Sequence, residues 1–228
     1  MKLRILSAIT KFASIKPVRL HMPGHKANRK FCKLFKGADL DVTELSSIDN
    51  ENELLLAERD VAEIFDADKS WFLTGGSSQG VLGMVYAVRD KGKKLVIEKS
   101  SHKSVYNALE ICQIEPIIID DFCGDDEKFI KSIETSLGDD VIGALLTYPD
   151  YYGNVFNLKE VAEVLRENRK LLLLDSAHGG HIKFIDDVPY AGDYADVWVD
   201  GFHKTFPTLN QGAVLHTCNS SLICALSD

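Results

Sequence analysis

The sequence predicts a three-layer α/β/α fold built on a mostly parallel sheet. Two observations carry this: short apolar runs recur along the chain, and helical patterns separate most of them. A third is that the runs are continuously apolar instead of alternating, the pattern of strands buried on both faces.

From the N-terminus, Ile5, Leu6, Ile9, Phe12 and Ile15 fall at helical spacing, interrupted by Lys11 and Lys16. No small-residue cleavage site follows, so an amphipathic helix is expected and not a signal peptide. From His21 to Asn50 the chain is polar and irregular and contains Pro23-Gly24-His25-Lys26, which predicts a long loop with short turns. Leu54, Leu55, Val61, Ile64 and Phe65 form the next helical stripe. Trp71 to Thr74 reads as a short strand running into Gly75-Gly76-Ser77-Ser78, after which a helix continues to about Arg89. Further strands are expected at Leu95 to Ile97, Pro116 to Ile119, Val141 to Leu146, Leu171 to Leu174 and Val197 to Val199, with a last one at Gly212 to His216.

The chain has 228 residues, of which 45% are hydrophobic, enough for a substantial core. Its net charge of −8 argues against a nucleic-acid or anionic-membrane partner. The five cysteines form no C-x-x-C pair, so neither a disulfide framework nor a zinc site is indicated, and a reducing cytoplasm fits. No apolar run approaches the ~18 residues needed to span a bilayer, and a soluble protein is expected.

Chemistry concentrates where the strands stop. Leu171 to Leu174 delivers Asp175 and His178, and Val197 to Val199 leads to His203 and Lys204. A lysine and a carboxylate at neighbouring strand ends suggest a pyridoxal phosphate site, which needs an amine for a Schiff base and an anion beside the pyridine nitrogen. Gly76, Ser77 and Ser78 follow a strand and open a helix, where free N–H groups and hydroxyls converge on a phosphate; a tight turn with a capping serine reads equally well. Asp175 is either the pyridinium partner, a cap for the next turn, or, with His178 and His181, a metal ligand, although that set lacks a further member. Lys204 is flanked by Phe202, Phe206 and Pro207, which are expected to crowd water away from its amine. His102, shortly after Leu95 to Ile97, is placed either to stack on a cofactor ring and handle a proton or simply to begin a helix.

In this order the motifs His21-Met22-Pro23-Gly24-His25-Lys26, Gly76-Ser77-Ser78, Ser101-His102-Lys103-Ser104, Tyr148 to Gly153, Asp175-Ser176-Ala177-His178-Gly179 and His203-Lys204 resemble those of the pyridoxal-phosphate-dependent ornithine/lysine/arginine decarboxylases, shorter bacterial type. The resemblance implies the aspartate-aminotransferase fold and a decarboxylase of arginine, lysine or ornithine. It implies a Schiff base on Lys204, Asp175 paired with the pyridine nitrogen, and His102 stacked on the ring and available as a proton donor. Ser77 and Ser78, with His203, are then the phosphate ligands, and His178 lines the cofactor. It further implies a homodimer, with residues 1–50 as a helix and active-site loop and 51–228 as the cofactor domain. The alternatives are an aminotransferase or other lyase of the same fold, or a non-catalytic cofactor-binding fragment.

The chain departs from the family in having Gly201 two residues before His203-Lys204 and Ser176 after the cofactor aspartate, where the family usually has a serine and an acidic residue. It also stops at Asp228, before the family's small C-terminal domain. The chain is therefore expected to bind cofactor but to orient substrate poorly unless a separate fragment supplies the remainder.

Overall fold

The structure is a computed structural model that describes residues 3–15, 26, 28–34, 40, 53–208 and 212–227. The chain divides into two compact units, residues 1–61 and 62–228.

In the first unit the expected amphipathic helix is present as α1 (Arg4–Ser14), burying Ala8 and Phe12 while Leu6 and Ile15 stay exposed. Arg4 Nε donates to Asp60 Oδ2 at 2.6 Å, a short charge-assisted bond between two partly exposed side chains. A helix α2 (Arg29–Leu34) interrupts the segment expected to be loop. Its signal is Asn28, whose side chain accepts the N–H of Lys30 at 2.9 Å, as a capping residue does. Apart from Lys26, the His21 to Lys26 motif lies outside the described residues. A third helix, α3 (Glu53–Ile64), leads across the boundary between the units.

The second unit is built on seven strands: β1 (Lys69–Leu73), β2 (Lys94–Glu98), β3 (Glu115–Ile119), β4 (Val141–Thr147), β5 (Leu171–Ser176), β6 (Val197–Asp200) and β7 (Ala213–Thr217). They lie in the order β1-β7-β6-β5-β4-β2-β3, with each expected run forming a strand within a residue or two of its predicted bounds. Pairing is parallel from β3 through β6, and β7 alone runs antiparallel to both neighbours. Burial on both faces holds for β4, β5 and β6. It fails for β3, where Ile118 is 53% exposed, because that strand is the sheet's edge.

Helices α4 (Ser77–Val88) and α5 (Lys103–Cys112) share one apolar core with the sheet, in which Val81, Met84, Val85 and Val105 meet Leu145, Leu173, Val199 and Leu215. Helices α6 (Asp126–Ser136) and α7 (Leu158–Glu167) bury Phe129, Ile133, Val161 and Leu165, with α7 packed on β5. Gly80 sets how closely α4 approaches the sheet: a Cβ there would lie 2.6 Å from Val199 Cγ2 and 2.8 Å from Leu73 Cδ1. That contact brings the first turn of α4 down onto the carboxyl ends of the parallel strands. No described helix is long and apolar enough to cross a membrane.

Candidate active site

A cavity of about 620 Å³ opens at the carboxyl ends of the parallel strands, where the connections of an α/β sheet leave a crevice. Gly76, Ser77, Ser78, His102, Asp175, His178, His203 and Lys204 all line it. Residues separated by up to a hundred positions or more in sequence converge because β1, β2, β5 and β6 all end here.

At the start of α4, the N-cap is Gly76, with φ at 73°, and no side chain caps the first turn. The reading of a serine-capped turn is thus not what forms. Ser77 Oγ is buried without a hydrogen-bond partner. It lies 3.1 Å from where a Cβ on Gly201 would sit, and that same Cβ would lie only 2.5 Å from the carbonyl oxygen of Ala177. The glycine is therefore required by close approach, and any side chain there would push into the space between the Ser77 and Ala177 turns. An uncapped helix start, an orphaned hydroxyl and a cradle kept clear of side chains together fit an anion such as a phosphate.

Asp175, 5% exposed, sits at the end of β5 and accepts the N–H of Ala177 at 3.2 Å. It does cap the next turn, and it also faces the cavity. Burial pushes its carboxyl above the usual range, while the Ala177 N–H and the nearby Lys204 and His102 pull it back. Such a carboxylate gains most from a directly apposed cation, which is the role a protonated pyridine nitrogen fills. The residues present therefore suit pyridoxal phosphate at both ends, phosphate and ring.

His102 caps α5: its Nδ1 accepts the N–H of Ser104 at 3.2 Å and lies 2.8 Å from the Ser104 hydroxyl. The neutral ring then carries its proton on Nε2. His102 thus begins a helix and lines the cavity at once. His203 Nδ1 lies 2.8 Å from the carbonyl oxygen of Gly212, to which it donates, leaving Nε2 for a ligand.

Lys204 stands on α8 (Phe202–Thr205), a single turn after β6, with Nζ 3.2 Å from His178 Nε2. Burial, and then the Lys204 charge, lower the pKa of His178, so the neutral ring accepts from the ammonium. The expectation that aromatic neighbours shield Lys204 is not met, for the residue is exposed. Phe202 stacks on Phe65 with ring centroids 5.3 Å apart, and Phe206 packs against Phe184 at 6.0 Å, so both rings turn away from the amine. His181 lies on the turn Gly180–Phe184 and does not line the cavity; among the described residues no cluster of His, Cys, Asp and Glu could hold a metal.

Sequence reasoning missed Thr147 and Glu98, and it marked Tyr148 to Gly153 as a motif without giving it a place. Thr147, at the end of β4, lines the cavity with its hydroxyl oxygen buried and unpartnered. Behind it Glu98, 3% exposed at the end of β2, accepts the Thr147 N–H at 2.8 Å. Burial pushes Glu98 up to about 7, with Asp121 and Asp150 adding to the rise against the backbone hydrogen bonds. At the mouth, Asp150 accepts the N–H groups of Tyr152 and Asn154 and the Asn154 amide, which fixes a loop presenting Tyr151 and Tyr152 at 80% and 86% exposure.

The sequence profile of the Orn/Lys/Arg decarboxylase major domain matches residues 4–225. An arginine decarboxylase of Bacillus subtilis is 29% identical over 93% of this chain and 47% of its own length. The chain thus spans about half the length of the curated relatives it matches. Among solved structures, lysine decarboxylase A from Pseudomonas aeruginosa superposes with a TM-score of 0.74 at 19% identity, over 94% of this chain and 34% of that one. A pyridoxal-5'-phosphate-dependent protein, YhfS of Escherichia coli, does so at 0.62 and 16%, over 99% and 58%. The fold is that of the large domain of the pyridoxal-phosphate-dependent decarboxylases and aminotransferases.

Proposed function

Because the chain belongs to the Orn/Lys/Arg decarboxylase family, we propose that it provides the pyridoxal phosphate site of a decarboxylase acting on arginine, lysine or ornithine. The observation that carries this is the meeting, in one cavity, of an accessible lysine amine, a buried carboxylate and an uncapped helix start. The bound cofactor supplies an aldehyde that captures the substrate amine and a ring that takes up the electron pair left when CO2 departs.

The protein's own groups then divide the work. The first-turn N–H groups of α4, with Ser77 and Ser78, hold the phosphate, and His203 adds a hydrogen bond when both its ring nitrogens carry protons. Asp175 keeps the ring nitrogen protonated by pairing with it in a site where water is scarce. Lys204 attaches the cofactor through its amine. His178, neutral and in contact with that amine, accepts its hydrogen bond and so helps fix where the amine stands. Lys204 or His102, whose Nε2 has no hydrogen-bond partner among the described residues, returns a proton to the α-carbon. His102 also packs its ring against the cofactor. The working form on this reading is a homodimer.

The test is to add pyridoxal phosphate, fix it with borohydride and map the labelled peptide. Label at Lys204, lost in Lys204→Ala without unfolding, is the expected result. Label at Lys26 or Lys103 instead defeats the assignment. Release of CO2 and an amine, as opposed to a keto acid, separates a decarboxylase from an aminotransferase of the same fold.

A further inference from the structure

We propose that Asp200 is a positioning residue for Lys204, acting from the face of the sheet opposite the cavity. The inference rests on the role given to Lys204 above. On β6, Val199 points to α4, so Trp198 and Asp200, one step either side, point the other way. There they join a buried polar row that crosses three strands. Ser70 Oγ on β1 lies 2.8 Å from His216 Nδ1 on β7, and the His216 ring stacks on Trp198 at 5.0 Å and 15°. Trp198 Nε1 donates to the Tyr190 hydroxyl at 2.7 Å, and Tyr190 donates to Asp200 Oδ2 at 2.5 Å. No member of the row is more than 3% exposed.

His216 Nε2 is 3.6 Å from Asp200 Oδ2, too far for a hydrogen bond, and burial pushes the imidazole down to about 3. The ring is neutral and Asp200 lacks an ion-pair partner in it. Asp200 Oδ1 and the neighbouring Ser176 Oγ are both buried without a hydrogen bond of ordinary geometry, though Ser176 is near enough to favour the ionised Asp200. An apolar side chain would spare the fold this desolvation, so the carboxylate here calls for a task beyond stability.

Its position supplies one. Asp200 directly precedes Gly201, whose close approach to Ala177 leaves no slack, and the Gly201 carbonyl accepts the N–H of Lys204 at 3.0 Å. On its other side Gly180 packs so closely that a Cβ would lie 3.3 Å from Asp200 Cβ. The carboxylate is thus wedged between the turn that follows His178 and the turn that carries Lys204. Clamping it through Tyr190 fixes where the amine stands.

The titratable groups facing Asp200 are Tyr190 from the turn before β6, His216 from β7 and Asp175 from β5. Burial sets Asp200 at about 7, while the donors of Tyr190, Ser176 and Trp198 favour its ionised form, the form the clamp holds best.

The experiment compares the parent with Asp200→Asn and Tyr190→Phe, each first shown to be folded by thermal melting. One readout is the rate at which pyridoxal phosphate is fixed on Lys204 by cyanoborohydride. The other needs no cofactor: hydrogen exchange of the Lys204 and Phe206 amides, which donate to Gly201 and Phe202. In both variants labelling slows, by about tenfold to a hundredfold if the amine moves by an ångström, and the two amides exchange faster while that of Val105 does not. Tyr190→Phe keeps the clamp in question should Asp200→Asn fail to fold. Parental labelling and parental exchange in a folded variant overturn the proposal. If the parent never labels at Lys204, the functional reading falls, and the exchange measurements still decide whether Asp200 holds the turn.

Discussion

Glu98→Gln should make the protein more stable above neutral pH and leave it nearly unchanged in acid. Glu98 ends β2 with 3% exposure and accepts the Thr147 N–H at 2.8 Å. Burial carries its carboxyl from an ordinary 4.5 to about 7. The folded chain therefore keeps the Glu98 proton over a window in which the unfolded chain has lost it, and the parent's stability falls as pH rises through that window, levelling above 7. The displacement is worth about 3 kcal/mol. Glutamine is uncharged throughout, and its carbonyl oxygen can still accept the Thr147 N–H. Urea unfolding at a series of pH values measures the difference directly: from acid to above pH 7 the variant should gain about 3 kcal/mol on the parent. Asp200 titrates in a similar range but is present in both chains, so its contribution cancels. Parallel stability profiles would refute the reasoning, since they would mean that Glu98 ionises in the folded chain as freely as in the unfolded one.

Asp175→Asn should keep the cofactor yet slow turnover about a thousandfold, equivalent to ~4 kcal/mol of transition-state stabilisation, measured in whatever assembly of the protein decarboxylates. Gly201→Ala places a carbon 2.5 Å from the Ala177 carbonyl oxygen, and both melting temperature and Lys204 labelling should drop, with a stability loss of about 1–3 kcal/mol. Unaltered labelling would show that the turn yields freely. His216, pushed by burial from 6.5 down to about 3, destabilises the folded chain progressively as pH falls from 6.5. His216→Gln should flatten this acid limb of the stability profile, and an unchanged limb would place the acid sensitivity elsewhere.

The fold was legible because its signals are local. Each strand is an apolar run that stops at a turn, and the run length of Val141 to Leu146 or Leu171 to Leu174 says strand without knowledge of its neighbours. The convergence of the candidate residues was legible for a related reason: in a parallel sheet, the groups just past the strands meet at one edge, so Gly76, His102, Asp175 and Lys204 come together by topology. What stayed hidden depends on which strand lies beside which. Glu98 reads as the polar end of Leu95 to Ile97, yet it is buried because β2 lies between β3 and β4. Phe202 and Phe206 read as a shield around Lys204, but Phe65 and Phe184 draw them to the opposite face. The row from Ser70 to Asp200 exists only because β7 inserts between β1 and β6, and no short-range pattern announces that insertion.

That insertion also orders the assembly of the molecule in time. β1 pairs with nothing else in the sheet than β7, so Lys69 waits for Thr217 and Leu73 for Ala213, partners synthesised far later. The parallel strands β2 to β6 can zip in sequence as they emerge, but β6 keeps one naked flank until β7 arrives. Closing so long a loop is slow because its entropy must be lost before any contact rewards it. The turn bearing Lys204 lies inside that last closure, between β6 and β7. A nascent chain thus sets the Lys204 turn in place only when β7 closes the sheet, after the walls around it have formed.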